Sequence, residues 1–517
     1  MYETNYRLSK LFGFLYGACL LRGENRFVCD AYRRASKVLA HFPEDILSIY
    51  EYEGCEGLRR SLKLGKAVIS KICHLLESGG YDELTSLKED LGEAVEFINV
   101  RGIGPKTARL LTERGIRTFE DLLRFLEGEE ARTIFKSPSR VYESVRFYLS
   151  QRHLYTVPEA RMIVESFLRL YPSAVAVGEY RRGEPIISVI EFAISEEDAF
   201  RLVMSGRYEG GYWMWAGERI PVRLHIYSPE DFGSVLVFAT GPERHVMALQ
   251  RLGDVRGETE EEVYERLGLP YIHPFQRYDG QEVVMALEGS LPPPVLPEDL
   301  TGDFHVHTTY SDGSMTPEEA VQAAIRRGYG VVALADHSPS SGGGLNVARL
   351  ERKRVEIIRL REKYPYIRIL HAAEVDILSD GSLDYPDEVL ETLDFVIASI
   401  HNWGDEEDTT ERLLKAMENP HVHVIGHPTG RVLKKRPSYR VDLDRLFRRA
   451  EETGKALEVN ANPKRMDLDA YALLEGGYGG KVFLGSDAHR EWDMDYMWVG
   501  CAQVSRARLR REQVGNL

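Results

Sequence analysis

The chain is poor in cysteine, in long apolar runs and in net positive charge. Its five cysteines (Cys19, Cys29, Cys55, Cys73 and Cys501) are scattered over 517 residues without a CxxC spacing. That pattern argues against a zinc ribbon or a disulfide framework and makes a reducing cytoplasm the expected compartment. No apolar run reaches membrane-helix length. The opening MYETNYRLSKLFGFLYGACLL begins with mixed charges and lacks a small-residue cleavage site, so it reads as a core helix and not as a signal peptide. Low-complexity segments are missing too. The formal net charge of −15 does not suggest a general nucleic-acid coat. It does not exclude local phosphate-binding patches, because such contacts depend on nearby cations and not on the sum. At this length one core is too few, and two to four domains are expected.

What is present falls into blocks. Apolar residues recur at three and four positions through Leu8–Leu21, Ala31–Phe42 and Ala67–Leu76, so residues 1–150 read as helical, broken by glycine turns at Gly65 and Gly102–Gly104. From 172 to 230 the segments SAVAVGEY, ISVIEFAIS and IPVRLHIYS are short, β-branched and bounded by turn residues, and are assigned as strands. Residues 231–290 are mixed, with a helix near Glu243–Leu252. GSLPPPVLPEDLTG follows, an extended and fairly stiff proline linker. Beyond it, GVVALAD, IRILHAAEVD, LDFVIASIH, VHVIGHP, KALEVNAN and KVFLGSDAH alternate with amphipathic helical stretches, which predicts a parallel, barrel-like sheet.

Metal-binding side chains recur at the ends of those strands. His305 and His307 in DFHVHTTYSDG are two apart and emerge on one face of a strand, and Asp312 follows in a turn. Later strands end in His337, Glu374, His401, His427, and Asp487 with His489. Carboxyl ends of parallel strands converge on one mouth, so the recurrence carries the prediction where a single histidine would be a capping residue. His371, His421 and His423, at strand starts or off the alternation, are read as structural. Asp336 is a candidate carboxylate for orienting His337 or a neighbour. Mixed imidazole and carboxylate donors suit Zn²⁺, Mn²⁺ or Fe²⁺, and so many ligands imply a cluster of two or three ions fitted to phosphoester hydrolysis.

The segments HVHTTYSDG, ADHS, AAEVD, SIHN, GHPTGR and GSDAH resemble the motifs of the PHP (polymerase and histidinol phosphatase) family. The resemblance implies a distorted (β/α)₇ barrel with a trinuclear divalent cluster held by His305, His307, Asp312, His337, Glu374, His401, His427, Asp487 and His489. EVNANPKRMDLD (Glu458–Asp469) resembles a further segment near that site. Asp312 and His337 are also catalytic candidates, as is Arg431 in GHPTGR, which is either a phosphate contact or a solvated loop residue.

FINVRGIGPKTARLL (Phe97–Leu111) has the spacing of a helix-hairpin-helix, whose tight turn brings backbone N–H groups to a DNA phosphate. Gly102, Gly104, Lys106 and Arg109 are the expected contacts. A weaker copy spans Leu58–Gly79, with Gly65 and Lys66 at its turn. The order of modules resembles bacterial and archaeal family X DNA polymerases over essentially the whole chain. That gives a multidomain α+β protein: an N-terminal helical domain (1–85), a helix-hairpin-helix fingers-like domain (86–150), a β-rich degenerate nucleotidyltransferase palm (151–230), a thumb-like domain (231–290), the linker (291–301) and the PHP domain (302–517). The family's GSxRRG is GEYRRG here, the paired aspartates fall on Val189 and Glu191, and the third aspartate on Arg223. Nucleotidyl transfer needs two Mg²⁺ ions bridged by carboxylates, so the polymerase centre is expected to be inactive, with Arg181 and Arg182 left to hold primer-template.

The expected function is therefore a metal-dependent phosphoesterase acting on DNA ends, a 3′–5′ exonuclease or 3′-end processing enzyme of repair. The expected protein is a cytoplasmic monomer with DNA as partner and no membrane association. A histidinol-phosphate-type phosphatase, a still-active repair polymerase and a non-enzymatic DNA scaffold are the alternatives. Lys63, Lys66 and Lys71 stand where a lyase nucleophile of some relatives would be, but read as phosphate-contacting or surface lysines.

Overall fold

The first helix, α1 (Glu3–Arg22), turns one face of Leu8, Leu11 and Phe12 into a helical core and the other end, through Ala18 and Leu21, into a second core. Gly23 stops it in the left-handed region, at φ 68°. Asn25 and Asp45 cap the N-termini of α2 (Arg26–His41) and α3 (Ile46–Leu62), which α4 (Lys66–Ser78) completes as a bundle. Ser9 and Ser36 exchange hydroxyl-to-carbonyl hydrogen bonds of 2.9 and 2.8 Å, which lets α1 and α2 approach closely. The computed structural model describes residues 2–78, 90–403 and 408–517. Gly79, the end of the weaker hairpin copy, and the 85/86 domain boundary lie outside the described residues. Helix packing, not sequence spacing, brings Cys19 to Cys29 and Cys55 to Cys73 as disulfides. This corrects the expectation drawn from the missing CxxC pattern, which registers only cysteines close in sequence. Cys501 is free and buried.

The second core gathers Phe97, Val100 and Ile103 with α5 (Pro105–Glu113), α6 (Phe119–Glu127) and α7 (Pro138–Gln151). The next unit is a five-stranded sheet. Its order is β1 (Val175–Val177), β2 (Ile190–Ser195), β5 (Glu218–Tyr227), β4 (Tyr212–Trp215) and β3 (Tyr208–Glu209), covered by α8 (Val157–Leu170). Phe167 stacks on Phe192 at 3.9 Å in its core. The β3–β4 hairpin turns at Gly210-Gly211, both at positive φ, a turn the sequence reading did not assign. GEY, read as the end of the SAVAVGEY strand, instead begins a short helix, Gly178–Arg182.

The C-terminal unit is a parallel barrel of seven strands in sequential order. These are β6 (Gly302–Val306), β7 (Val331–His337), β8 (Arg368–Asp376), β9 (Phe395–Ser399), β10 (Val424–Ile425), β11 (Ala456–Asn460) and β12 (Val482–Gly485). A parallel bridge between Val306 and Ala488 brings the last strand back to the first. The proline stretch before it is no free linker. Val295 is fully buried and exchanges hydrogen bonds with Ser505 of α10 (Met497–Arg506), following α9 (Val347–Lys363) in this unit. The core of the five-stranded unit also takes in Met466, Tyr496 and Val499 of the barrel unit, so the two pack as neighbours. Among the described residues no helix is long and apolar enough to cross a membrane.

Candidate metal centre

All nine sequence-predicted ligands come to one end of the barrel. β6 delivers His305 and His307, whose Nε2 atoms lie 3.1 Å apart. β12 can pass close behind them only because residue 485 is glycine, since a Cβ there would sit 2.5 Å from that of His305. Glu374, at the end of β8, is the hub. Its Oε2 lies 2.9 Å from His337 Nδ1 and 3.5 Å from His305 Nε2, and its Oε1 lies 2.8 Å from His427 Nε2 and 3.3 Å from His401 Nε2. Asp487 Oδ1 is 3.2 Å from His307 Nε2, and Asp312 Oδ2 is 3.1 Å from His489 Nε2. His427 and Asp487 hold positive φ values of 27° and 47°, a backbone region that non-glycine residues adopt uncommonly.

Donor atoms close enough to share one ion fall into three groups: His305, His307 and Asp487; His307, Asp312, His337 and His489; and His337, Glu374 and His401. His307 and His337 belong to two groups each. Four imidazole nitrogens at the centre, Nδ1 of His307, His337 and His427 and Nε2 of His401, are buried without a hydrogen-bond partner among the described residues. Unpaired buried polar atoms are costly. Lone-pair donors facing carboxylate oxygens at 2.9–3.3 Å without hydrogen-bond geometry fit divalent cations between them.

The electrostatics agree. Burial would push the His305 imidazole down, but the carboxylates of Glu458, Glu374 and Asp487 outweigh it and hold its pKa well above the ordinary value. His401, buried against Glu374 and Asp376, rises to about 10, and His489, buried beside Asp312 and Asp487, to about 9. His307 is pushed down to about 3 by burial and by His489 and His337. Glu374, although buried, is kept well below the usual carboxylate range by His401, His305 and His337. The centre is thus a dense set of charge pairs in which cations can replace protons.

Outer carboxylates aim the ligands, and sequence reading missed most of them. Glu458 accepts from His305 Nδ1 at 2.6 Å through one oxygen, and from the His427 backbone N–H at 2.7 Å and the Asn460 amide at 3.1 Å through the other. Asp376 lies 3.1 Å from His401 Nδ1. Asp376 had only its position as a sequence signal, two residues from Glu374, whereas Glu458 opens the EVNANPKRMDLD segment that resembles a family segment near the site. Asp336 does not orient His337. It accepts from Thr308 and Ser311 and pairs with buried Lys353 at 2.8 Å, which fixes the loop that carries Asp312. His423 bonds the Val396 N–H and is structural, as expected.

Arg431 does not face the centre. Its guanidinium is held by Asp469 and by the carbonyls of Arg465 and Met466. Arg465 is the arginine that reaches in, with Nε 3.2 Å from Asp487 Oδ2. In the front modules Gly102 occupies the turn at φ 89°, Gly104 caps α5, and Lys106 is exposed on its first turn. Arg109 instead lies over Gly23 and pairs with Glu113 at 3.6 Å. Gly65 and Lys66 are exposed where α4 begins.

The palm positions carry an ion-pair cluster. Glu191 and Arg223 are register partners on β2 and β5, with Arg223 Nη1 3.3 Å and His225 Nε2 2.8 Å from Glu191 Oε2. Arg181 and Arg182, expected to hold primer-template, are engaged internally. Arg181 donates to Thr240 and Glu260; Arg182 donates to the Thr240 carbonyl and to Glu184. Glu184 in turn accepts from Tyr471 at 2.7 Å and Arg506 at 3.1 Å of the barrel unit. The arginine pair is a clasp between units.

The PHP domain family model matches residues 303–462. Over 96% of its length the chain is 28% identical to a DNA polymerase/3′-5′ exonuclease PolX of Bacillus subtilis (strain 168), covering 94% of that protein. It is 31% identical over 231 residues to a "probable phosphatase" of Thermoanaerobacter sp. (strain X514), covering 90% of it. It is 32% identical over 227 residues to a "probable phosphatase" of Syntrophotalea carbinolica, again covering 90%.

Proposed function

Since this chain belongs to the PHP family through its C-terminal unit and is similar to a PolX-type protein along nearly its whole length, we propose that it is a metal-dependent 3′–5′ DNA exonuclease or 3′-end phosphoesterase whose one working centre is the barrel mouth. The observation that carries this reading is the convergence of nine predicted ligand side chains, eight of them in the three donor groups and His427 joined to them through Glu374, with unpartnered buried imidazole nitrogens. In the same reading three divalent ions, Zn²⁺, Mn²⁺ or Fe²⁺, occupy the three donor groups. When bound they supply Lewis acidity toward a phosphate ester and lower the pKa of water.

The chain's own residues prepare that chemistry. Glu458 and Asp376 hold His305 and His401 in the tautomers that face the centre. The Asp336–Lys353 pair fixes the loop of Asp312, and the partly exposed Asp312 and His489 leave the mouth open to a substrate end. Residues 1–85 and 86–150 present DNA through Lys106 and the turns at Gly102–Gly104 and Gly65–Lys66. Residues 151–290 serve as a scaffold, its polymerase centre inactive because Arg223 stands beside the one remaining carboxylate, Glu191. The protein works as a monomer in the cytoplasm, where its DNA is.

The test is degradation of an end-labelled oligonucleotide with Mn²⁺ or Zn²⁺ titration and a His305→Ala control. The expected result is metal-dependent trimming that the substitution abolishes. Metal-loaded protein that leaves every DNA end intact would refute the reading. The phosphatase relatives support a second one, phosphomonoester hydrolysis at the same centre, but it leaves some 300 front residues without a role, more than a typical domain.

A further inference from the structure

Three arginines, Arg101, Arg436 and Arg465, gather beside the mouth. Arg436 donates to the Gly430 carbonyl at 3.0 and 3.1 Å, and its guanidinium lies 4.2 Å from the ring centroid of Trp403, two residues past the ligand His401. Arg101, in the helix-hairpin-helix turn, reaches the same indole at 5.9 Å. Among the described residues no carboxylate pairs with Arg436. Burial, followed by the charges of Arg465 and Arg101, lowers its pKa to about 10. Arg465 touches Asp487 through Nε and leaves Nη1 buried without a partner among the described residues. Like charges this close repel. An indole face stabilises them in part, and an arginine fork is shaped to grip a phosphate.

A groove of about 720 Å³ adjoins this cluster at Arg101 and Pro437 and runs along the helix-hairpin-helix module, where Lys136, Ser139, Arg140 and the acid Glu143 line it among apolar side chains. On another side of the mouth, α2 meets the barrel rim. Lys37 lies among Arg490, Lys464 and Arg33, near the carboxylate of Asp493, and His41 stacks on Trp492 at 4.7 Å. Arg490 adjoins the ligand His489, and Lys464 adjoins Arg465. Both N-terminal modules therefore add cations at the rim, although the whole chain is acidic.

We infer that this groove is the track for the phosphate backbone of the DNA strand whose end is cut, running from the helix-hairpin-helix turn past Trp403 and Arg436 to Arg465. The inference rests on the function proposed above. A small phosphomonoester needs only the centre itself. Cations spread from Lys136 to Arg465 fit a polyanion with several phosphates, and contacts to the backbone alone make the grip independent of sequence.

The experiment uses the full-length Mn²⁺-loaded protein, a labelled single-stranded oligodeoxynucleotide, and bis(p-nitrophenyl) phosphate as a diester too small to reach the groove. Arg101→Ala and Arg436→Ala should each raise the oligonucleotide KM about tenfold, the loss of one charge-assisted phosphate contact. Each should also reduce the slope of log KM against log salt by about 0.7. Arg436→Lys should recover part of the salt slope, which a merely structural role would not give. Hydrolysis of the small diester should fall far less, and Arg124→Ala, on exposed α6, should match the wild type. If the wild type trims DNA and the Arg101 and Arg436 variants keep its KM and salt slope, the track is refuted and the function stands. If the wild type hydrolyses only the small diester, the proposed function fails and the track with it.

Discussion

Removing Glu458 should uncouple the ligands from the scaffold without removing a ligand. Its Oε1 accepts from His305 Nδ1 at 2.6 Å, which fixes the tautomer with Nε2 toward the centre, and its Oε2 ties down the His427 backbone. The carboxylate is buried, so its charge acts on His305 with little screening by solvent. Loss of such an outer partner typically costs 10- to 100-fold in metal affinity, which is about 1.4–2.8 kcal/mol. Glu458→Gln keeps the shape and an acceptor oxygen but loses the charge, so it should fall near about tenfold. Glu458→Ala also leaves a cavity and frees the ring, and should approach about 100-fold. The assay is competition of Mn²⁺ or Zn²⁺ against a fluorescent chelator, with circular dichroism to confirm the fold. Both variants binding metal as tightly as the wild type would refute the assignment of Glu458 as the residue that aims His305.

Four further outcomes follow from the geometry. His401 and His489 have folded-state pKa values raised to about 10 and about 9 in the metal-free chain. They stabilise it fully below the ordinary imidazole value, and that contribution is lost as pH rises through the raised values. Metal-free protein should therefore lose melting temperature between about pH 6.5 and 10, while metal-loaded protein, its protons displaced, should change less; parallel curves would contradict this. Lys353→Met leaves Asp336 charged and unpaired in the core and should cost about 3–5 kcal/mol in urea unfolding, whereas a loss below about 1 kcal/mol would show that the pair is not needed. Primer extension with Mg²⁺ and nucleotides should give no incorporation, because Arg223 and Val189 leave no carboxylate pair; incorporation would overturn the inactive palm. Thiol titration of unreduced denatured protein should find one cysteine, Cys501, and five after reduction, while five at the outset would show that the two pairs are reduced in solution.

The sequence by itself determined the barrel and the gathering of His, Asp and Glu side chains at its mouth. Each β–α unit is local: an apolar run followed by His, Asp or Glu at its end places that side chain at one mouth once the strands are parallel, so His305, His337, Glu374, His401 and Asp487 could be read off in turn. Local patterning also found α1, α2 and the helix-hairpin-helix turn. Pairings between distant segments were decided only by the tertiary structure. Glu458 reaching His305 across 153 positions, Arg465 taking the place at the centre expected of Arg431, the cysteine pairs formed by packed helices, and Arg181 and Arg182 folded into a clasp have no local signature. Periodicity records which face a side chain leaves from. The direction a long side chain takes, and the partner it meets, depend on which elements the cores bring together.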